Sequence, residues 1–161
     1  MDWKLVATSS VLAALIAFAL TRWARNKDAD DKSRAALRGI LFEIDHAEEC
    51  ARAYIRDSAR PVWSPAYRID TDFLRPGVPA LAEYGALQGE EIRDVQQLLV
   101  YANEVNRCLD QLAALLPKLH DEDVAKRAAD ETNRTRAKFE HVLKQVIPAR
   151  RGVNAARSEE H

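Results

Sequence analysis

A chain of 161 residues with 24 Lys+Arg against 25 Asp+Glu carries a net charge of -1. That balance excludes a broad electrostatic nucleic-acid surface, and the length allows one domain plus an appendage. Charged residues make up 30% of the chain and glycine only 5 positions, a mix that favours helices over strands.

The chain opens on an apolar stretch. Between Leu5 and Leu20 there is no charged residue, glycine or proline. Trp3 and Trp23 bracket it; at ~1.5 Å per helical residue they stand roughly 30 Å apart, the thickness of a bilayer's hydrocarbon core. Indole rings favour the headgroup level, and Lys4 can extend outward from the N-terminal edge. The sequence thus predicts a transmembrane anchor over 1–26, held by Trp3, Leu5, Leu12, Leu15, Ile16, Phe18, Leu20 and Trp23 in a lipid bilayer. Two other readings weigh less. Ala17-Phe18-Ala19 fits a signal-peptide cleavage pattern, but the apolar run continues through it and Arg22 and Arg25 follow. A core helix should show a polar stripe, and only Thr8–Ser10 are polar here. Arg22, Arg25 and Lys27 after the span predict a cytoplasmic helical part. Cys50 and Cys108 fit either a reducing or an oxidising side.

A bundle domain is expected over 27–148. Asp28, Asp30 and Asp31 suit a helix start, and Leu37, Leu41, Ile44, Glu48, Ala51 and Ile55 fall at helical spacing, which predicts a first long helix over 30–59. Residues 60–80 hold Pro61, Pro65, Pro76 and Pro79, which excludes a long helix there. The same stretch carries Trp63, Tyr67, Ile69, Phe73 and Leu74, the pattern of a loop strapped across a core. Thr71–Leu74 can form one helical turn, and Pro79 with Gly85 delimits a short helix over 79–84. Ile92, Val95, Leu99, Ala102, Val105, Leu109, Leu112 and Leu116 make a continuous seam, giving a helix over 90–116 that Pro117 ends. A fourth helix over 121–147, capped by Asp121 and stopped by Pro148, has a weaker face that Thr132, Thr135 and Arg136 interrupt. Residues 149–161 read as a flexible basic tail. The fold class expected is all-α: a transmembrane helix, then a small antiparallel bundle of three long helices with a Pro/aromatic loop.

Chemistry is sparse. Glu43-x-x-His46 is half of a di-iron carboxylate motif, but no second copy exists, and helical phase turns His46 to solvent. His46 and Cys50 are one helical turn apart, yet Cys108, His120 and His141 complete no metal signature. There is no phosphate loop and no nucleophile elbow. No catalytic, cofactor-binding or metal residue is assigned, and the chain is read as non-enzymatic. Trp63, Tyr67 and Phe73 are of the type that dominates binding hot spots and form a candidate partner surface, although strapped loops bury the same residue types.

With "ALRGILFEIDHAEECARAYI", "AYRIDTDFL", "LAEYGAL" and "YANEVNRCLDQL", the chain resembles a set of small bacterial and phage proteins with an N-terminal anchor and a helical domain. The matching residues are Leu41-Phe42-Glu43-Ile44 and Val105-Asn106. The resemblance implies no activity and transfers no functional residue. The function expected is a membrane-anchored helical interaction or scaffold module that binds a protein partner or itself and no nucleic acid. The alternative is a phage-type lysis or envelope component with a periplasmic helical domain.

Overall fold

The computed structural model describes residues 3–83 and 85–159, with side chains from residue 16 to residue 158. Four helices account for it: α1 (Trp3–Asp57), α2 (Leu74–Glu83), α3 (Gly89–Leu115) and α4 (Glu122–Glu159), with single 3-10 turns at Pro65–Tyr67 and Leu116–Lys118. There is no strand among the described residues.

The helices form a ring. α4 packs against both α3 and α1, and α2 packs against both α1 and α3 on the opposite side. Cross-pairs fix the directions. On α1, Asp45 meets Arg150 and Tyr54 meets Phe139. On α3, Asp94 meets Gln145 and Glu104 meets Lys138. α4 therefore runs antiparallel to both, and α1 and α3 run parallel to each other with α2 and the proline-rich strap (residues 58–73) filling the space between them.

The core seam on α1 consists of Ser33, Leu37, Ile40, Ile44, Ala47, Ala51 and Tyr54, all buried, and Ser58 just beyond its end continues it. Spacing alternates between four and three, so one face meets the neighbours along its length. The expected stripe was one position off at three places: Leu41 and Ile55 are half-buried at its flank, and Glu48 lies beside it. On α4 the seam is Ala128, Thr132, Thr135, Phe139, Val142, Val146, Ala149, Val153 and Ala156. Thr132 and Thr135 do not interrupt it. Each hydroxyl donates 2.7 Å to a carbonyl one turn earlier, Ala128 O and Glu131 O, which satisfies the polar atom inside the bundle.

Three expectations are corrected. First, among the described residues no helix is long and apolar enough to cross a membrane. The uncharged run of α1, Leu5–Leu20, falls short of the about 20 apolar residues a span needs, and Arg22, Arg25, Lys27 and Asp28 follow it within the same helix. The transmembrane anchor is overturned, and with it the single-pass membrane placement and the cytoplasmic assignment built on it. Of its eight residues, Ile16, Phe18, Leu20 and Trp23 lie exposed on α1. The side chains of Trp3, Leu5, Leu12 and Leu15 lie outside the described residues. Second, the tail expected from 149 is helical to Glu159. Pro148 removes one helical hydrogen bond, but Ala149, Val153 and Ala156 continue the buried seam beyond it. Gly152 permits this close approach: a Cβ there would stand 3.0 Å from Glu91 Cβ. Third, the short helix begins at Leu74 rather than Pro79 and carries Pro79 inside it.

Other signals act as read. Asp121 Oδ1 accepts from Asp123 N and Val124 N at the start of α4. Gly85, at φ 72, closes α2 with Ala86 N donating to Leu81 O and Gly85 N to Ala82 O, a Schellman closure that needs the left-handed conformation glycine adopts freely.

Candidate functional site

A strap without regular structure must find partners for its backbone polar groups, because each one buried and unpaired costs free energy. Here side chains from the two flanking helices supply them. Glu43, buried on α1, accepts from Phe73 N at 2.7 Å and Leu74 N at 2.6 Å. These are donors at the start of α2 with no carbonyl one turn back to bond, and negative charge is favoured at that end of a helix. Glu43 is thus an N-cap delivered from another helix. On α3, Asn106 forms a two-way bridge to Ile69: Oδ1 accepts from Ile69 N at 3.0 Å, and Nδ2 donates to Ile69 O at 2.8 Å. The Cys50 thiol on α1 lies 3.4 Å from Ala66 O and 3.5 Å from Arg68 O, as a weak donor to the strap. Arg68 pairs with Asp110 of α3.

The clamp decides where the aromatic residues go. Tyr67 meets Tyr54 edge-on at 5.3 Å and donates to Asp57 Oδ2 at 2.9 Å. Trp63 is half-buried against the core. Phe73 is 50% exposed, and its ring lies directly over Gly39, where a Cβ would come within 2.4 Å of it. Of the three residues named as a partner surface, Trp63 and Tyr67 seal the core edge and Phe73 keeps a free face. Phe42, one turn after Gly39, is 65% exposed.

His46 does not face solvent as expected. It is half-buried, with Nε2 3.5 Å from Cys50 Sγ and 3.9 Å from Asp70 Oδ2, because the strap covers that side of α1. No group of three or more His, Cys, Asp or Glu stands close enough to hold a metal among the described residues. His120 lies in the turn before α4 and His141 on α4, where its ring meets that of Tyr101 at a tilt of 53°, ring centres 5.4 Å apart.

The cysteines are unpaired and buried. Burial, then the nearby Asp70, pushes the Cys50 thiol up to about 11. Burial, then the adjacent Glu131 carboxylate, raises Cys108. Both are held as thiols, the unreactive form. Ellman's reagent should therefore modify neither in the native protein at mildly alkaline pH and both in concentrated guanidinium; rapid native labelling of Cys50 would contradict the strap contacts.

One ion-pair network ties α1 to α4. Arg150 Nη2 lies 2.8 Å from Asp45 Oδ1 and 2.5 Å from Glu48 Oε2, and Arg52 Nη2 lies 2.7 Å from Glu48 Oε1. Hydrogen bonds from Arg150, then from Arg52, hold the Glu48 carboxyl below its ordinary 4.5. A depressed carboxyl stabilises the fold fully above its unfolded value, and the benefit is lost as pH falls through the folded value. Urea midpoints should thus fall as the solution is acidified below about 4.5, and Arg150→Gln should flatten that fall. An equally steep fall in the variant would remove Glu48 from the cause.

An open groove of about 480 Å3 lies between α3 and α4, with Gln111, Leu115, Arg127 and Arg134 on its walls. Glu131 at its base accepts from Arg134 Nη1 at 3.3 Å through one oxygen. The fold and these contacts define the class of protein: an all-α bundle with a side-chain-clamped strap and a projecting first helix. No family model, curated protein or solved structure matches the chain.

Nothing in the sequence singled out Glu43 and Asn106 as strap ligands. The only available signal was a proline-rich apolar loop that must be bonded by something.

Proposed function

We propose that the chain is a non-catalytic helical interaction module, in which the bundle is a platform and the first part of α1 is an arm that grips a protein partner. One observation carries this reading. From Ile16 to Lys32 every residue of α1 except Ala29 is exposed, yet Phe18 (65%), Trp23 (63%) and Leu20 (59%) are large apolar groups. The described bundle begins at Ser33, so nothing in it covers them, and large exposed apolar groups on one element mark an interaction site. Aromatic anchors of this kind supply most of the free energy at protein interfaces.

A photo-crosslinking side chain placed at Phe18 or Trp23 of the full chain, activated in cells, tests the reading. A discrete protein adduct is expected from these positions and none from Lys118 at the far end of the bundle. Absence of any protein adduct from the arm, or equal adducts from all three positions, would contradict it.

A further inference from the structure

α1 and the last turns of α4 enclose a groove of about 390 Å3 whose lining includes Arg38, Phe42, Asp45, Arg150, Asn154 and Arg157. Its three guanidiniums are not equivalent. Arg150 is matched by Asp45 and Glu48 and so has a fixed position. Arg38 donates only to the carbonyl of Arg34, one turn back. Arg157 is exposed, and among the described residues neither it nor Arg38 reaches a carboxylate. Among the described residues, two guanidiniums without a carboxylate partner thus share one groove, and neighbouring like charges favour the entry of an anion. Guanidiniums present planar donor forks that match phosphate oxygens. Asn154 adds an amide to the lining. Phe42, with its ring 65% exposed, offers a flat apolar surface in the same groove, on which an aromatic group can stack.

We propose that this groove binds a phosphomonoester that carries a flat aromatic or apolar group, with the phosphate between Arg38 and Arg157 and the apolar part on Phe42. The proposal does not depend on the arm of α1. The phosphate can belong to a free ester or to a lipid headgroup, and the probes separate the two.

Phenyl phosphate titrated into the full chain, followed by calorimetry and by NMR of the arginine side chains, is expected to bind saturably with one site. Arg38→Gln and Arg157→Gln should each weaken it about tenfold. Both residues are exposed, so unchanged circular dichroism and melting are expected for both variants. Phe42→Ala should weaken phenyl phosphate and leave inorganic phosphate unaffected, a split that unspecific charge attraction would not give. Vesicles containing phosphatidic acid form the second arm: binding to them without binding of phenyl phosphate assigns the headgroup, and the reverse assigns a free ester. Failure of both probes to bind, or affinity unchanged by Arg38→Gln and Arg157→Gln, overturns the proposal.

Discussion

Glu43→Ala should destabilise the protein by about 3–5 kcal/mol. The carboxylate is buried and its two oxygens accept from Phe73 N and Leu74 N. Removing it leaves the buried Leu74 amide and the part-buried Phe73 amide unpaired, at roughly 1–3 kcal/mol each, and a void on the core face of α1. Against a total stability of about 5–15 kcal/mol, such a loss is a large share, and it corresponds to a fall in Tm of about 10 °C for a chain of this size. Glu43→Gln keeps the volume but turns an NH2 towards one of the two amides, so it should cost about 2–3 kcal/mol and not be neutral. A Gln variant that melts with the native protein would mean the strap does not need a carboxylate there.

Phe139→Ala should cost about 3–5 kcal/mol, the range for truncating a fully buried phenyl ring. Phe139 is wholly buried on α4 and stacks on Tyr54 of α1, ring centres 4.6 Å apart and planes 27° apart. Tyr54 in turn meets Tyr67 of the strap, so this stack joins α4, α1 and the strap. Burial pushes the Tyr54 hydroxyl up to about 12, consistent with a phenol held away from water. Phe139→Leu should recover more than half of the loss. A double-mutant cycle with Tyr54→Phe should show coupling near zero, since the ring and not the hydroxyl makes the contact. A loss under about 1 kcal/mol for Phe139→Ala would show that the α1–α4 seam closes elsewhere.

Much of the bundle was legible because periodicity and punctuation agreed. α3 was read to within one residue at each end, since its seam from Val95 to Leu112 is uniformly apolar and Pro117 follows. Gly85 and Asp121 were read correctly because each does a local job that only a few residue types can do. The errors share a cause, which is that tertiary burial overrode a local signal. Pro148 breaks isolated helices, yet Val153 and Ala156 hold α4 together beyond it. Thr132 and Thr135 look like surface residues until their hydroxyls are seen bonded within their own helix. His46 was assigned to solvent by the phase of one helix, and the strap that covers it lies some twenty residues further on. Over Leu5–Leu20, hydropathy suggested a span; that run is shorter than a bilayer needs, and the helix is soon heavily charged. Glu43 and Asn106 were invisible as clamps because a glutamate or asparagine on a helix ordinarily faces water, and no periodicity marks the exception.

The placement of the strap by Glu43 is the claim on which the rest stands, because it sets Phe73 over Gly39, closes the ring of helices and covers Cys50 and His46. Amide hydrogen exchange read residue by residue tests it most directly. The amides of Phe73 and Leu74 should exchange as slowly as those in the middle of α3, and in Glu43→Gln they should speed up well before the amides of α3 and α4 do. Fast exchange at both positions in the unaltered protein would contradict it.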